Sequence, residues 1–263
     1  MMSIGSMDIP SVSIIEELLT ENVDVILFDT VDSTNNLAKE LGKKGNDKSL
    51  VIAKKQTQGR GRMGRSFISN EENGIYMSLL IRPELHISKC TDMTLIASVA
   101  VCEAIESLCG INCAIKWVND IYIGEKKVCG ILTEGASRSD GIIDYAVVGI
   151  GINVTEPQGG FNDEIKDIAT ALYEKNTTVT VKNQLIAEII NRFFAYFHNI
   201  ESRAYMGEYR RRSNLIGKSV DVYRGNDIIS GVCVDIDEDG CLVVEKDGSR
   251  LVFNSGDARV RRA

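Results

Sequence analysis

Histidine is nearly missing from this chain, with only His86 and His198 among 263 residues. Cysteine is present but unpatterned: seven residues, at 90, 102, 109, 113, 129, 233 and 241, with no Cys-x-x-Cys. A structural zinc centre needs Cys or His clustered at characteristic spacing, so that class is excluded. Cys102, Cys109 and Cys113 lie among apolar residues and read as small buried thiols in a reducing compartment. No apolar run approaches ~18 residues, which leaves nothing for a membrane helix. No lysine or arginine precedes Lys39, so a signal peptide with a basic head is lacking as well. These absences lead to the expectation of a soluble, cytoplasmic protein. A formal net charge of −7, a pI near 5.1 and a single tryptophan weigh against a general nucleic-acid binder.

Against that acidic background one stretch stands out: Gln56-Thr57-Gln58-Gly59-Arg60-Gly61-Arg62-Met63-Gly64-Arg65-Ser66-Phe67. Crowded guanidinium groups repel one another unless an anion neutralises them. Their planar donor forks match carboxylate and phosphate oxygens, and the glycines let the backbone come close to a ligand. No Lys-Ser or Lys-Thr pair follows, so this is not the phosphate loop of nucleotide triphosphatases. A solvated basic loop and a disordered Arg-Gly segment that binds RNA have similar composition. The flanks disfavour disorder, because Ser49 to Lys54 and Gly74 to Pro83 both read as strands, the second stopped by its proline.

With 44% hydrophobic residues the chain can bury a large core, and one large and one small domain are expected, at 1–212 and 213–263. Residues 11–20 form a short amphipathic helix. Asp24 to Val31 is a strand that runs into Asp32-Ser33-Thr34-Asn35-Asn36, a cluster of helix-capping residues ahead of the helical spacing in Leu37 to Leu41. Thr91 to Leu108 is a long apolar helix closed by Gly110. Ala114 to Trp117, Ile121 to Ile123, Lys127 to Glu134 and Ile142 to Val154 are strands, with a hairpin turn at Gly124-Glu125. Helices follow over 163–174 and 181–207. From Ile216 to Val260, short β-prone runs separated by Gly225-Asn226, Asp239-Gly240, Asp247-Gly248 and Ser255-Gly256 give the spacing of a small β-barrel. The pattern is α+β with a mixed central sheet, not alternating βαβ units.

Four further segments carry chemistry. Lys116-Trp117-Val118-Asn119-Asp120 ends a strand with an amide beside a carboxylate. Lys126-Lys127-Val128-Cys129-Gly130-Ile131-Leu132-Thr133-Glu134 begins one with lysines. Val148-Gly149-Ile150-Gly151-Ile152-Asn153-Val154 places two glycines inside a strong strand, a sign of close approach. Asp32-Ser33-Thr34-Asn35 puts neutral polar groups at a helix start. In order and spacing, these segments and the arginine loop resemble the bacterial biotin–protein ligases from about Phe28 to Asn153, with a compatible C-terminal barrel.

That resemblance implies a class II synthetase-like catalytic fold and a two-step reaction. Biotin and ATP give biotinyl-5'-adenylate and pyrophosphate, and the biotinyl group then passes to a lysine of a biotin carboxyl carrier protein or domain. It implies that Ser33, Thr34, Asn35 and Gln56 bind biotin's ureido ring, with Arg60, Gly61, Arg62, Lys127, Gly130, Gly149 and Gly151 completing the biotin site. A plain helix cap is the other reading of Ser33 and Thr34. Lys127, Arg60 and Arg62 are the implied catalytic residues, set against two anions that repel each other. Arg60, Arg62, Phe67, Lys116, Asn119, Asp120, Asn153 and Arg261 are the implied nucleotide contacts, and Asp120 the Mg²⁺ ligand. Trp117 is expected beneath the site, and Lys126 and Arg210-Arg211-Arg212 in solvent. Phe67 stands where many relatives have tryptophan, and Val118 where proline is usual. Too few residues precede the match for a DNA-binding module, so no repressor activity, nucleic-acid partner or membrane is expected. A homodimer stays open. A lipoate–protein ligase, whose substrate has no ureido group, is the nearest enzyme alternative.

Overall fold

The computed structural model describes residues 8–69, 72–225 and 227–261; Asn226, of the turn expected at Gly225-Asn226, lies outside them. Its elements are α1 (Val12–Leu18), β1 (Asp24–Val31), α2 (Thr34–Lys43), β2 (Ser49–Gln56), β3 (Gly74–Ile81), α3 (Cys90–Cys109), β4 (Ala114–Lys116), β5 (Asp120–Ile123), β6 (Lys126–Ser137) and β7 (Ile143–Asn153). Then come α4 (Lys182–Phe197), α5 (Ala204–Arg212), β8 (Ser219–Arg224), β9 (Asp227–Ile236), β10 (Leu242–Lys246), β11 (Ser249–Phe253) and β12 (Asp257–Val260). No helix among the described residues is long and apolar enough to cross a membrane.

Seven strands form one mixed sheet in the order β1-β2-β3-β7-β6-β5-β4. Only β1 and β2 pair in parallel, because α2 crosses between them; the remaining neighbours pair antiparallel. Side chains alternate across a strand, and the register assigns the faces. Ile52, Met77, Leu79, Val148, Ile150 and Ile152 belong to the main core with α3 and α4. α3 is apolar nearly all round and is accordingly buried along most of its length. The other face carries Val51, Leu80 and Val147, covered by Ala38 of α2. Farther along this second face the register brings Ser78 opposite Gly149 and Gly130 opposite Gly151. The sheet therefore has an apolar half under α2 and a nearly bare half beside the start of that helix.

Residues 163–174, expected as a helix, form turns instead. The stretch lies alongside the start of β6, where Lys127 N–H donates to Ile168 O at 2.8 Å and Thr170 N–H donates to Lys127 O at 2.9 Å. Backbone groups at a strand end need partners, and pairing with Lys127 takes precedence over the helical spacing of Ile165, Ile168 and Leu172. The helix expected over 181–207 is broken: α4 stops at Phe197, and Arg203 at φ 53° precedes α5.

The C-terminal strands make a five-stranded antiparallel sheet, β11-β10-β9-β8-β12. β11 and β12 occupy opposite edges and do not pair, so the sheet is open and no closed barrel forms among the described residues. Trp117 Nε1 donates to Gly240 O at 2.8 Å, and Arg210 reaches Ile236 O and Glu238 at 2.6 and 2.7 Å. Arg212 is buried against Glu106 and Glu208. Arg210 and Arg212 thus tie elements together, in contrast to the solvated run expected, while Arg211 stays exposed beside Glu208. Lys126, also expected in solvent, is exposed but its Nζ reaches Lys166 O at 3.1 Å.

Candidate active site

A cavity of about 690 Å³ opens over the bare half of the sheet. Its inner end is neutral and polar. Ser33, Thr34 and Asn35 are buried at the start of α2, with Gln56 from the end of β2 beside them. Gln56 Oε1 accepts from Thr34 N–H at 2.8 Å, and Gln56 Nε2 donates to Ser69 Oγ at 3.0 Å. Ser78 Oγ lies 2.8 Å from Thr34 Oγ1 and 2.6 Å from Asn35 Oδ1. These bonds fix the Gln56 amide with its oxygen toward α2 and one N–H to spare. Ser33 caps the helix with its backbone only, so capping does not consume its hydroxyl. Ser69 and Ser78 were not singled out in the sequence, where an isolated serine in a loop or an apolar strand carries no signal.

The glycines explain how side chains reach the sheet. A Cβ on Gly149 would sit 2.0 Å from Asn35 Oδ1, and one on Gly151 would meet the Phe67 ring at 2.7 Å. A Cβ on Gly130 would lie 3.0 Å from Lys127 Nζ. Close approach was expected at Gly149 and Gly151, and Asn35 and Phe67 make it there; Lys127 does the same at Gly130, and all three glycines line the cavity.

The outer end is charged. Arg60, Arg62, Arg65, Lys116, Lys127 and Arg259 line it, against Asp120, Glu125 and Asp257. Arg60 donates to Asn36 Oδ1 at 3.1 Å and lies 3.2 Å from Glu134. Arg62 donates to Asn119 Oδ1 at 2.9 Å; Asn119 is itself fixed by donating to Ile131 O at 2.7 Å. Lys127 Nζ is 2.7 Å from Asp120. Asn153 is buried and donates to Thr170 O at 3.0 Å. Trp117 is buried beneath this end, as expected, and the Trp117–Val118 peptide is cis.

Asp257 arrives from the C-terminal sheet and meets Lys116, Arg65 and Arg259, each at 3.1 Å. Burial opposes its ionisation, but the Lys116 charge and the hydrogen bonds from Arg65, Lys116 and Arg259 outweigh that and hold the carboxyl down at about 2. Burial, then the nearby Asp120 and Asp257 charges, push the Tyr122 hydroxyl in the same wall up to about 12. Arg261 is exposed, outside the cavity lining, and its backbone N–H donates to Ser219 O at 2.9 Å. Asp257 and Arg259 of the same segment line the cavity, where Arg261 was expected.

The chain is similar to known proteins over most of its length. Residues 27–153 match the biotin/lipoate A/B protein ligase family, and residues 215–261 match the biotin protein ligase C terminal domain. The bifunctional ligase/repressor BirA of Bacillus subtilis is 35% identical over 236 residues, covering 88% of this chain and 72% of the relative. The biotin–[acetyl-CoA-carboxylase] ligase of Mycobacterium tuberculosis is 28% identical, covering 89% and 87%. Among solved structures, the biotin protein ligase from Aquifex aeolicus in complex with biotin and ATP superposes with a TM-score of 0.74 at 29% identity, covering 91% of this chain and 99% of that one.

Proposed function

As this chain belongs to the biotin/lipoate A/B protein ligase family, we infer that its cleft joins biotin to ATP and passes the biotinyl group to a carrier protein. The observation that carries this reading is the division of one cavity into a neutral polar end and an end where six cations face three carboxylates. Biotin has the same division, a neutral ureido ring at one end and a carboxylate at the other. A buried ureido group must have its donors and acceptors paired, and Ser33, Thr34, Asn35 and Gln56 supply that chemistry.

In the first step a carboxylate oxygen of biotin attacks the α-phosphorus of ATP, a P–O bond forms, and pyrophosphate leaves with its electron pair. Two anions must be brought together, so positioned cations do most of the work. Arg60, Arg62 and Lys127 have that role; Lys127 is the best placed, since its backbone is held by residues 168–170 and its ammonium lies over Gly130. Phe67, Lys116, Asn119, Asp120 and Asn153 surround the nucleotide. In the second step a lysine amine of the carrier attacks the acyl carbon, an amide forms, and AMP departs. Among the described residues no three His, Cys, Asp or Glu side chains gather to hold an ion. Such a site suits Mg²⁺ brought in on the phosphates of the nucleotide, with Asp120 as a carboxylate neighbour, where it would offset phosphate charge. The carrier is a biotin carboxyl carrier domain, and seven free cysteines support a reducing, cytoplasmic setting. The boundary near Arg212 separates a catalytic unit from a C-terminal unit that completes the charged end through Asp257.

Pyrophosphate exchange into ATP, followed by label transfer to a purified carrier domain, tests the reading. Exchange that requires biotin is the expected result. Exchange driven by lipoate or octanoate and indifferent to biotin would overturn it.

A further inference from the structure

Glu134 has no part in the reaction as described, yet it touches both ends of the cleft. It lies on β6, paired with Val147 and two positions beyond Leu132, on the sheet face that looks toward α2. Its Oε2 accepts from Asn35 Nδ2 at 2.9 Å. Its Oε1 lies 3.1 Å from Lys39 Nζ and 3.2 Å from the Arg60 guanidinium. The side chain is only 21% exposed. The Asn35 amide is fully committed on its nitrogen, which also donates to Leu132 O at 3.3 Å, while its oxygen accepts from Ser78. Glu134 at one side and Ser78 at the other therefore dictate which way that amide faces. Burial opposes ionisation of Glu134, but hydrogen bonds from Asn35 and Lys39 and the charges of Lys39 and Arg60 outweigh it and hold the carboxyl below its ordinary value.

We propose that Glu134 is a positioning residue that ties the arginine loop to the biotin-reading end of the cleft, so that one carboxylate sets both the Asn35 amide and the Arg60 guanidinium. The proposal rests on the reaction assigned above. Three donors converge on Glu134, and two carboxylate oxygens can satisfy all of them through charge-assisted bonds. A glutamine of the same shape cannot, because its NH₂ group would face a donor. Glu134 touches no reacting atom; its loss acts through Asn35 on the binding of biotin, read in KM, and through Arg60 on the charge set against the reacting anions, read in kcat.

The test compares the full-length wild type with Glu134→Gln and Lys39→Met. Without ligand, trypsin should cut after Arg60 and Arg62 about fivefold faster in Glu134→Gln, as a loop freed from its anchor opens more often, with the melting temperature kept. In pyrophosphate exchange, the KM for biotin should rise about tenfold and kcat should fall several-fold in Glu134→Gln while the KM for ATP stays within about threefold. Lys39→Met, which leaves the Asn35 and Arg60 contacts in place, should shift neither readout. Unchanged cleavage, an unchanged biotin KM, a loss confined to kcat, or the same KM rise in Lys39→Met would each overturn the proposal. A wild type that ignores biotin would sink the reaction instead, and the cleavage comparison would still decide whether Glu134 holds the loop.

Discussion

Two residues test the chemistry most directly. Lys127 is held by backbone pairing on one side and by Asp120 at 2.7 Å on the other. Replacing it with alanine removes a preorganised charge from the point where two anions meet, and losses of this kind run to roughly 100- to 1,000-fold. Lys127→Ala should lose adenylation by that factor with little change in melting temperature, as measured by pyrophosphate exchange beside thermal unfolding. Gly149 makes a different prediction. An alanine Cβ there would lie 2.0 Å from Asn35 Oδ1, so the amide must leave its place between Ser78 and Glu134. Gly149→Ala should therefore raise the KM for biotin by about tenfold or more while the KM for ATP changes little. Equal rises in both would show that the glycine serves the whole sheet, not the ureido end. The sequence marked Gly149 because glycine is rare inside a strand, but it could not say which group needed the space.

At the level of elements, the arginine loop is the part whose behaviour should depend on ligand. It is tied by the Arg60–Ser66 bridge and by the partners of Arg60, Arg62 and Arg65, among them four side chains from outside the loop: Asn36, Glu134, Asn119 and Asp257. Gly64 and Met63 both take positive φ at its tip, and Met63 and Arg65 are well exposed. Phosphate and carboxylate groups should draw the arginines inward and close the loop over a reactive mixed anhydride. Trypsin should then cut after Arg60, Arg62 or Arg65 several-fold more slowly with biotin and ATP than without; equal rates would rule out ligand-coupled closure. Most strands were legible because burial on both faces or alternation leaves a direct mark on composition. The turns at 163–174 were not, since their apolar spacing is helical and only the neighbouring β6 edge offers the competing hydrogen bonds.

The whole molecule is held across its two sheets by Trp117 with Gly240, by Arg210 with Ile236 and Glu238, and by Asp257 with Lys116 and Arg65. The Asp257 contact has a definite pH signature. Its carboxyl is held at about 2, below the ordinary 3.8, so the folded form binds fewer protons than the unfolded one between those values. The stabilisation is complete above about 3.8 and is lost as pH falls toward 2. Asp257→Asn should cost on the order of 1–2 kcal/mol at neutral pH, with the gap to wild type closing as the medium is acidified through that window. Urea unfolding followed by the fluorescence of Trp117 would measure it. A gap of constant size from pH 7 to pH 3 would mean that the contact is steric and not electrostatic.

What the sequence determined by itself is the local chemistry. It identified the polar helix start at Ser33 to Asn35, the alternating arginines and glycines, the lysine pair that opens β6 and the glycines inside β7. Each of these is unusual within a window of a few residues, where propensity and charge act. Tertiary structure alone decided which distant groups complete the cleft. Asp257 meets Arg65 across 192 positions of chain, Glu134 meets Asn35 across 99, and Ser78 meets the same amide across 43. A lone carboxylate or hydroxyl in a strand looks the same in sequence whether it faces water or a buried amide. Only the strand register, the crossing of α2 over the sheet and the docking of the C-terminal sheet give these side chains their partners.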